Sequence, residues 1–317
     1  MIELRHLRRY FGETRAVDDV SFEVHAGEVF GYIGPNGAGK TTSMRVLSTL
    51  EQPTAGDAFV DGFSVVEDPD RVRQRLGFMP DAFGTYADVN CAEYLDFFAR
   101  AYGLVGRERV AACRRVMDFT GLDELAQKPI NGLSKGMKQR LCLGRALVHD
   151  PAVLILDEPA AGLDPRARIQ LREMIAELAT HGKAVLISSH ILTELAEICD
   201  SVGIIERGQL LAVGSVAEMK QRLAQHTTIE IEFLRGVSEA HPWLCQRPHV
   251  EDCALPASPP SNGSLAETLT VEFHGDAEAR AQLLRDLISA GHAVLDFRTR
   301  ERNLEEVFLN VTEGRVQ

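Results

Sequence analysis

Alternating apolar and polar positions open the chain and predict strands. Ile2–Tyr10 reads as a strand, and Val17–Val24 follows the alternation. In the second, Val20, Phe22 and Val24 share one face and Ser21, Glu23 and His25 the other. Largely apolar runs come later, at Glu28–Ile33, Leu76–Pro80, Ala152–Leu156 and Ala184–Ser188. Such runs suit strands buried on both faces of a parallel sheet. Helical stretches separate them, at Ser43–Leu47, Pro69–Leu76 and Pro165–Ala179, the last capped by Asp164. A short strand, Ala58–Val60, follows the turn-rich Pro53–Asp57. Val202–Ile205 and Leu210–Val213 predict a hairpin around Arg207-Gly208, with a helix over Val216–Leu223 after it.

A block of helices interrupts the strands at about residues 82–150. Asn90 with Glu93 predicts a capping box for a helix through Ala101, which has a broad apolar side of Tyr94, Leu95, Phe97 and Phe98. A second helix covers Arg107–Phe119. A third opens at Ser134, a good N-cap that leaves free N–H groups at an exposed helix start. That is an anion-binding geometry, and equally the look of a plain capped helix.

From His226 the composition shifts. Thr227–Leu234 alternates Ile229, Ile231 and Phe233 with polar residues. Thr268–Phe273, Ala277–Ala290 and Ala293–Arg298 predict strand, helix and strand, with a Pro-rich insertion at Pro256–Gly263 and a short helix at Asn303–Leu309. Residues 1–225 thus form one domain and 226–317 a small α+β domain. The second holds no phosphate loop, metal cluster or nucleophile, which suits regulation or assembly.

The chemistry concentrates between the first apolar run and the first helix. Gly34-Pro35-Asn36-Gly37-Ala38-Gly39-Lys40-Thr41-Thr42 fits the phosphate-loop pattern of Gly, four residues, Gly, Lys and Ser or Thr. Gly34, Gly37 and Gly39 are expected at positive φ, curling the backbone so that its N–H groups converge on an anion. A helix starting near Gly39 adds its positive dipole end. Lys40 can reach the β- and γ-phosphates, the Thr41 hydroxyl can ligate Mg²⁺, and Thr42 can bond a phosphate oxygen. Asp157 and Glu158 end the run Ala152–Leu156, where open α/β sheets place their ligands. There Asp157 can hold Mg²⁺ and Glu158 can polarise a water. His190 ends Ala184–Ser188 at the same edge. Tyr10-Phe11 offers a ring to stack on adenine, or an ordinary core aromatic.

Composition narrows the partners. The chain has 317 residues, 45% of them hydrophobic, and a formal net charge of -12. An acidic chain without a long basic patch is a poor nucleic-acid binder. The six cysteines are scattered with no CxxC, as expected of buried or idle thiols in a reducing compartment. The charged start Met1–His6 is no signal peptide, and no run of about 18 apolar residues spans a membrane.

The motifs, taken in order, resemble the ATP-binding subunit of an ABC transporter over the first ~220 residues. The resemblance rests on Gly34–Thr42, Leu133-Ser134-Lys135-Gly136-Met137-Lys138-Gln139, Leu154–Glu158, Gly162-Leu163-Asp164 and His190. The last domain, closing in Asn303–Leu309, is similar to an extension found on ABC-2-type exporter ATPases. The implied fold is an α/β P-loop NTPase cassette, a RecA-like core with a helical insertion, plus the α+β domain. The implied mechanism pairs two cassettes head to tail as a homodimer. ATP then lies between one phosphate loop and the partner's signature helix, where Ser134 and Gly136 donate to the γ-phosphate. Glu158 becomes the water-activating residue and His190 the γ-phosphate sensor. Phe11 becomes the preferred adenine stacker, with Tyr10 second. Hydrolysis would drive a separate integral membrane permease, for export, from the cytoplasmic face of the inner membrane, with no nucleic acid involved. The rival class is a soluble ABC ATPase acting on nucleic acid or the ribosome. Those relatives usually carry two cassettes, long arms or zinc hooks, and this chain has one cassette and a short insertion. Two departures stand out. The signature reads LSKGMKQ rather than LSGGQ, which places Lys135 where positive φ would strain it. Asp81 stands where the family usually has a Mg²⁺-ligating Gln.

Overall fold

The computed structural model describes residues 1–81, 84, 89–191, 195, 197–218, 227–254 and 267–300. They divide into two units, with the boundary between Val216 and Ala217.

The first unit is built on a six-stranded sheet of β3 (Val29–Ile33), β6 (Leu76–Met79), β7 (Val153–Leu156), β8 (Ala184–Ser189), β9 (Ser201–Glu206) and β10 (Gln209–Ser215). The order is β10-β9-β3-β8-β7-β6, parallel throughout except for the edge strand β10. Every residue of β3, β7 and β8 is buried, which explains their lack of polar alternation. The hairpin β9–β10 turns through Arg207 and Gly208, both at positive φ.

An antiparallel sheet packs against this one. It contains β1 (Ile2–Phe11), β2 (Thr14–Val24), β4 (Ala55–Val60) and β5 (Phe63–Ser64), in the order β2-β1-β4-β5. The alternation in β2 does what its pattern predicts. Val20, Phe22 and Val24 are buried, and Phe22 stacks on Phe30 of β3 with ring centroids 4.7 Å apart. β4 starts three residues before the expected Ala58, because Gly56 marks a bulge rather than a turn. Its backbone lies so close to β1 that a Cβ would sit 2.1 Å from the His6 carbonyl oxygen.

Helices α1 (Lys40–Leu47), α2 (Pro69–Arg75) and α6 (Pro165–Thr180) belong to this core. α3 (Cys91–Ala101), α4 (Gly106–Phe119) and α5 (Lys135–Leu147) form the insertion. The expected capping box is present: Asn90 Oδ1 accepts from the Glu93 N–H at 2.9 Å, and Glu93 Oε2 accepts from the Asn90 N–H at 3.0 Å.

The second unit runs β11 (Thr227–Arg235), α7 (Val237–Leu244), β12 (Val250–Ala254), β13 (Glu267–Phe273), α8 (Ala277–Ser289) and β14 (Ala293–Arg300). The sheet order β12-β13-β11-β14, all antiparallel, is a split βαβ of ferredoxin-like topology. Ile229, Ile231, Phe233, Leu269, Val271 and Phe273 point to one face, onto Leu283 and Leu287 of α8. Sequence reasoning missed α7 and β12. Pro242 lies inside α7, where a proline argues against a helix, and β12 is an edge strand that buries only Cys253. The expected elements Pro256–Gly263 and Asn303–Leu309, and most of Val216–Leu223, fall outside the described residues. All six cysteines are free. Cys91, Cys142, Cys199 and Cys253 are buried as expected, but Cys245 is exposed.

Candidate functional site

The phosphate-loop segment connects β3 to α1 and does so by two different uses of glycine. Gly37 and Gly39 take positive φ, 81° and 111°, and Gly39 is the N-cap of α1. Gly34 does not, contrary to expectation. Its requirement is space, since a Cβ there would lie 2.2 Å from the Ile205 carbonyl oxygen. The Gly208 N–H donates to the Ala38 carbonyl at 2.8 Å, so the β9–β10 hairpin holds the loop from behind.

Lys40 is only 5% exposed. Its ammonium donates to the Gly34 and Pro35 carbonyls at 2.6 and 3.1 Å and lies 3.6 Å from Glu158 Oε1. Burial lowers its pKa, and the nearby Glu158 and Asp157 charges oppose that. Asn36, Gly37, Gly39, Lys40, Thr41 and Thr42 line one cleft together with Ala16, Asp81 and Glu158. The cleft thus joins Asp81, which follows β6, to Glu158, which follows β7, and to the loop after β3. All three lie beyond the C-terminal ends of parallel strands, where such sheets bind ligands.

Asp157 is 1% exposed and sits directly behind this edge. Glu158 adopts φ 47°, a strained value for a non-glycine residue, with Pro159 next in the chain. Its Oε2 is 2.9 Å from His190 Nδ1, while its Oε1 is buried without a hydrogen bond. Lys40, Glu158 and His190 therefore form one chain of polar contacts. The sequence did not single out Ser188, whose hydroxyl touches both acids. The signal was a hydroxyl residue at the end of an apolar run.

Ser134 caps α5, accepting from the Met137 N–H at 3.3 Å, and is exposed. Gly136 packs against α6, where a Cβ would meet Ala167 Cβ at 3.0 Å. Neither lines the phosphate-loop cleft of its own chain. Lys135 is the first residue of α5 and has no positive φ, which corrects the expected strain at the LSKGMKQ departure. Its ammonium packs over Gly162, at φ 64°, in the turn before α6. That turn ends as expected, with Asp164 accepting from the Ala167 N–H at 2.9 Å. Phe11 ends β1, 46% exposed, with the Arg9 guanidinium 4.3 Å from its ring centre. The Tyr10 hydroxyl instead donates to Asp18. Phe11 is not among the residues lining the cleft.

Residues 17–161 match the family model described as ABC transporter. The linearmycin resistance ATP-binding protein LnrL of Bacillus subtilis is 30% identical over 317 residues, covering 98% of both chains. The Nod factor export ATP-binding protein I of Burkholderia lata is 35% identical over 316 residues, covering 100% of this chain and 98% of the relative. Among solved structures, an ATP-binding subunit of an ABC transporter matches at 30% identity and a TM-score of 0.64. That match covers 70% of this chain and 92% of the other.

Proposed function

The chain belongs to the ABC transporter family as an ATP-binding subunit with ATPase activity, and we propose that it powers export through a separate membrane permease. Two relatives carry resistance and export in their names, which supports that direction. Among the described residues no helix is long and apolar enough to cross a membrane, so the membrane-spanning path is assigned to the permease. The cassette would work from the cytoplasmic face of the membrane.

The observation that carries the chemistry is the cleft shared by Lys40, Thr41, Thr42, Asp81 and Glu158. Its N–H groups and Lys40 cradle the phosphates of ATP. The Glu158 carboxylate, aimed between Lys40 and His190, orients the attacking water and takes up its proton. His190, contacting the same carboxylate, is placed to sense the γ-phosphate.

The residues fit Mg²⁺. The oxygens of Thr41, Asp157 and Asp81 are the hard donors this ion prefers, together with phosphate oxygens. An ion shared with phosphate takes only one or two carboxylates from the protein. When bound, Mg²⁺ neutralises charge developing on the β- and γ-phosphates.

Ser134 and Gly136 lie outside their own chain's cleft, which suits a head-to-tail homodimer in which they close over the partner's ATP. Exposed Phe11 is the adenine stacker in this reading. The test is Glu158→Gln, which keeps shape but removes the base. ATP binding should persist, hydrolysis should fall by about a hundredfold or more, and an ATP-bound dimer should accumulate on size-exclusion chromatography. A variant that stays monomeric and turns over normally would sink both the role of Glu158 and the dimer.

A further inference from the structure

β8 carries, one residue before its end, a side chain that the chemistry above leaves unused. Ala184–Ile187 are apolar and buried on both faces, and Ser188 follows with no exposed surface at all. A hydroxyl buried without a partner is unfavourable, so its bonds carry information. β7 pairs with β8 as far as Leu156 opposite Ile187, which brings Ser188 level with Asp157. Ser188 Oγ lies 2.6 Å from Asp157 Oδ1 and 2.8 Å from the Glu158 backbone nitrogen. An amide N–H can only donate. The Ser188 oxygen therefore accepts from Glu158, and its single proton goes to Asp157 Oδ1.

Both acids are constrained by that one group. Asp157 has its Oδ1 taken and its rotation fixed, so Oδ2 is the oxygen left to present to a cation. Its backbone N–H donates to the Met79 carbonyl at 2.8 Å, which pins it toward β6 as well. Glu158 sits at φ 47° immediately before Pro159, an unfavourable combination for a residue with a side chain. Its N–H is held by a hydroxyl rooted in a wholly buried strand of the sheet. That backbone conformation carries the carboxylate to 2.9 Å from His190 Nδ1 and 3.6 Å from Lys40 Nζ.

We propose that Ser188 is a positioning residue for the ATPase reaction, orienting the Asp157 carboxylate and the Glu158 backbone through a single hydroxyl. The inference rests on the reading of Asp157 as the Mg²⁺ carboxylate and Glu158 as the water-orienting base. A serine that merely filled the core would affect folding stability and nothing else.

The experiment uses the full chain and three variants, Ser188→Ala, Ser188→Cys and Asp157→Asn. Binding of a non-hydrolysable ATP analogue is followed by calorimetry at graded MgCl₂ and in EDTA, beside steady-state ATPase kinetics. Ser188→Ala should raise the Mg²⁺ midpoint of nucleotide binding by about tenfold and lower kcat by about tenfold. KM for ATP and the metal-free affinity should stay within about twofold. Ser188→Cys, close in volume but with a weak donor, should move the same way, and it decides the matter if the alanine variant does not fold. A wild-type Mg²⁺ midpoint in the folded variant, even with a lowered Tm, overturns the proposal. Asp157→Asn separates the two readings. If it shifts the midpoint and the serine variants do not, only the positioning role fails. If it too leaves the midpoint in place, the metal reading beneath it falls.

Discussion

Asp81 lies in the cleft itself, at the position where the family resemblance implies a Gln. It lines the same cavity as Lys40, Thr41 and Glu158, directly after β6. A carboxylate beside a triphosphate is repelled unless a cation intervenes, because like charges interact strongly where water is partly excluded. Lys40 faces Glu158 and serves the phosphates, so Mg²⁺ is the better counter-ion for Asp81. An Asp oxygen can replace the usual Gln amide oxygen, its shorter stem bridged by water where needed. Asp81→Ala should therefore raise the Mg²⁺ concentration for half-maximal ATPase activity by about three- to tenfold, while Asp81→Gln should retain much of the wild-type behaviour. A Mg²⁺ titration of Asp81→Ala with an unshifted midpoint would exclude the ligand role.

At the scale of elements, the join between the helical insertion and the sheet contains a half-buried titratable ring. His149, just after α5, stacks on Tyr102 at the end of α3 with centroids 3.6 Å apart, and its Nε2 lies 3.1 Å from the Leu76 carbonyl oxygen. Burial pushes its pKa from 6.5 down to about 4, only partly opposed by the hydrogen bond to Leu76. The folded chain thus binds fewer protons there than the unfolded chain. Its stabilising effect is complete above pH 6.5 and is lost as pH falls from 6.5 to 4, by roughly 2 kcal/mol for a ring not fully buried. Denaturant melts across that window should show the decline, and His149→Gln should flatten it. Equal slopes in both proteins would assign the pH dependence elsewhere. This join also marks where sequence stops being informative. The phosphate loop, the Asn90 capping box and the alternation of β2 were legible because each is a rule about near neighbours along the chain. Ser188, the crowding at Gly34 and the His149–Tyr102 stack depend on residues distant in sequence, so no local pattern announces them. The φ of Lys135 was misread because a family pattern was imposed on a residue that simply begins a helix. α7 and β12 were lost to Pro242 and to an edge strand with little to bury.

At the scale of the whole molecule, every residue proposed to handle ATP lies in the first unit, between Phe11 and His190. The second unit closes its own core, with Ile231 and Phe233 of β11 and Val271 of β13 fully or almost fully buried within the unit. Two units with separate cores are expected to fold separately, since each buries its own apolar surface. The boundary between Val216 and Ala217 precedes the composition change at His226, so a chain ending at Gln225 keeps all of the first sheet. Such a truncation should yield a folded cassette that binds ATP within about threefold of the full chain, because nothing in the phosphate-loop cleft is removed. What the second unit supplies should then appear elsewhere, as a weaker ATP-bound dimer of the Glu158→Gln variant or lower transport with the permease. Circular dichroism establishes folding and calorimetry the affinity. A folded truncation that has lost ATP binding would show that the ferredoxin-like unit takes part in nucleotide binding, and the division of labour proposed for the two units would be wrong.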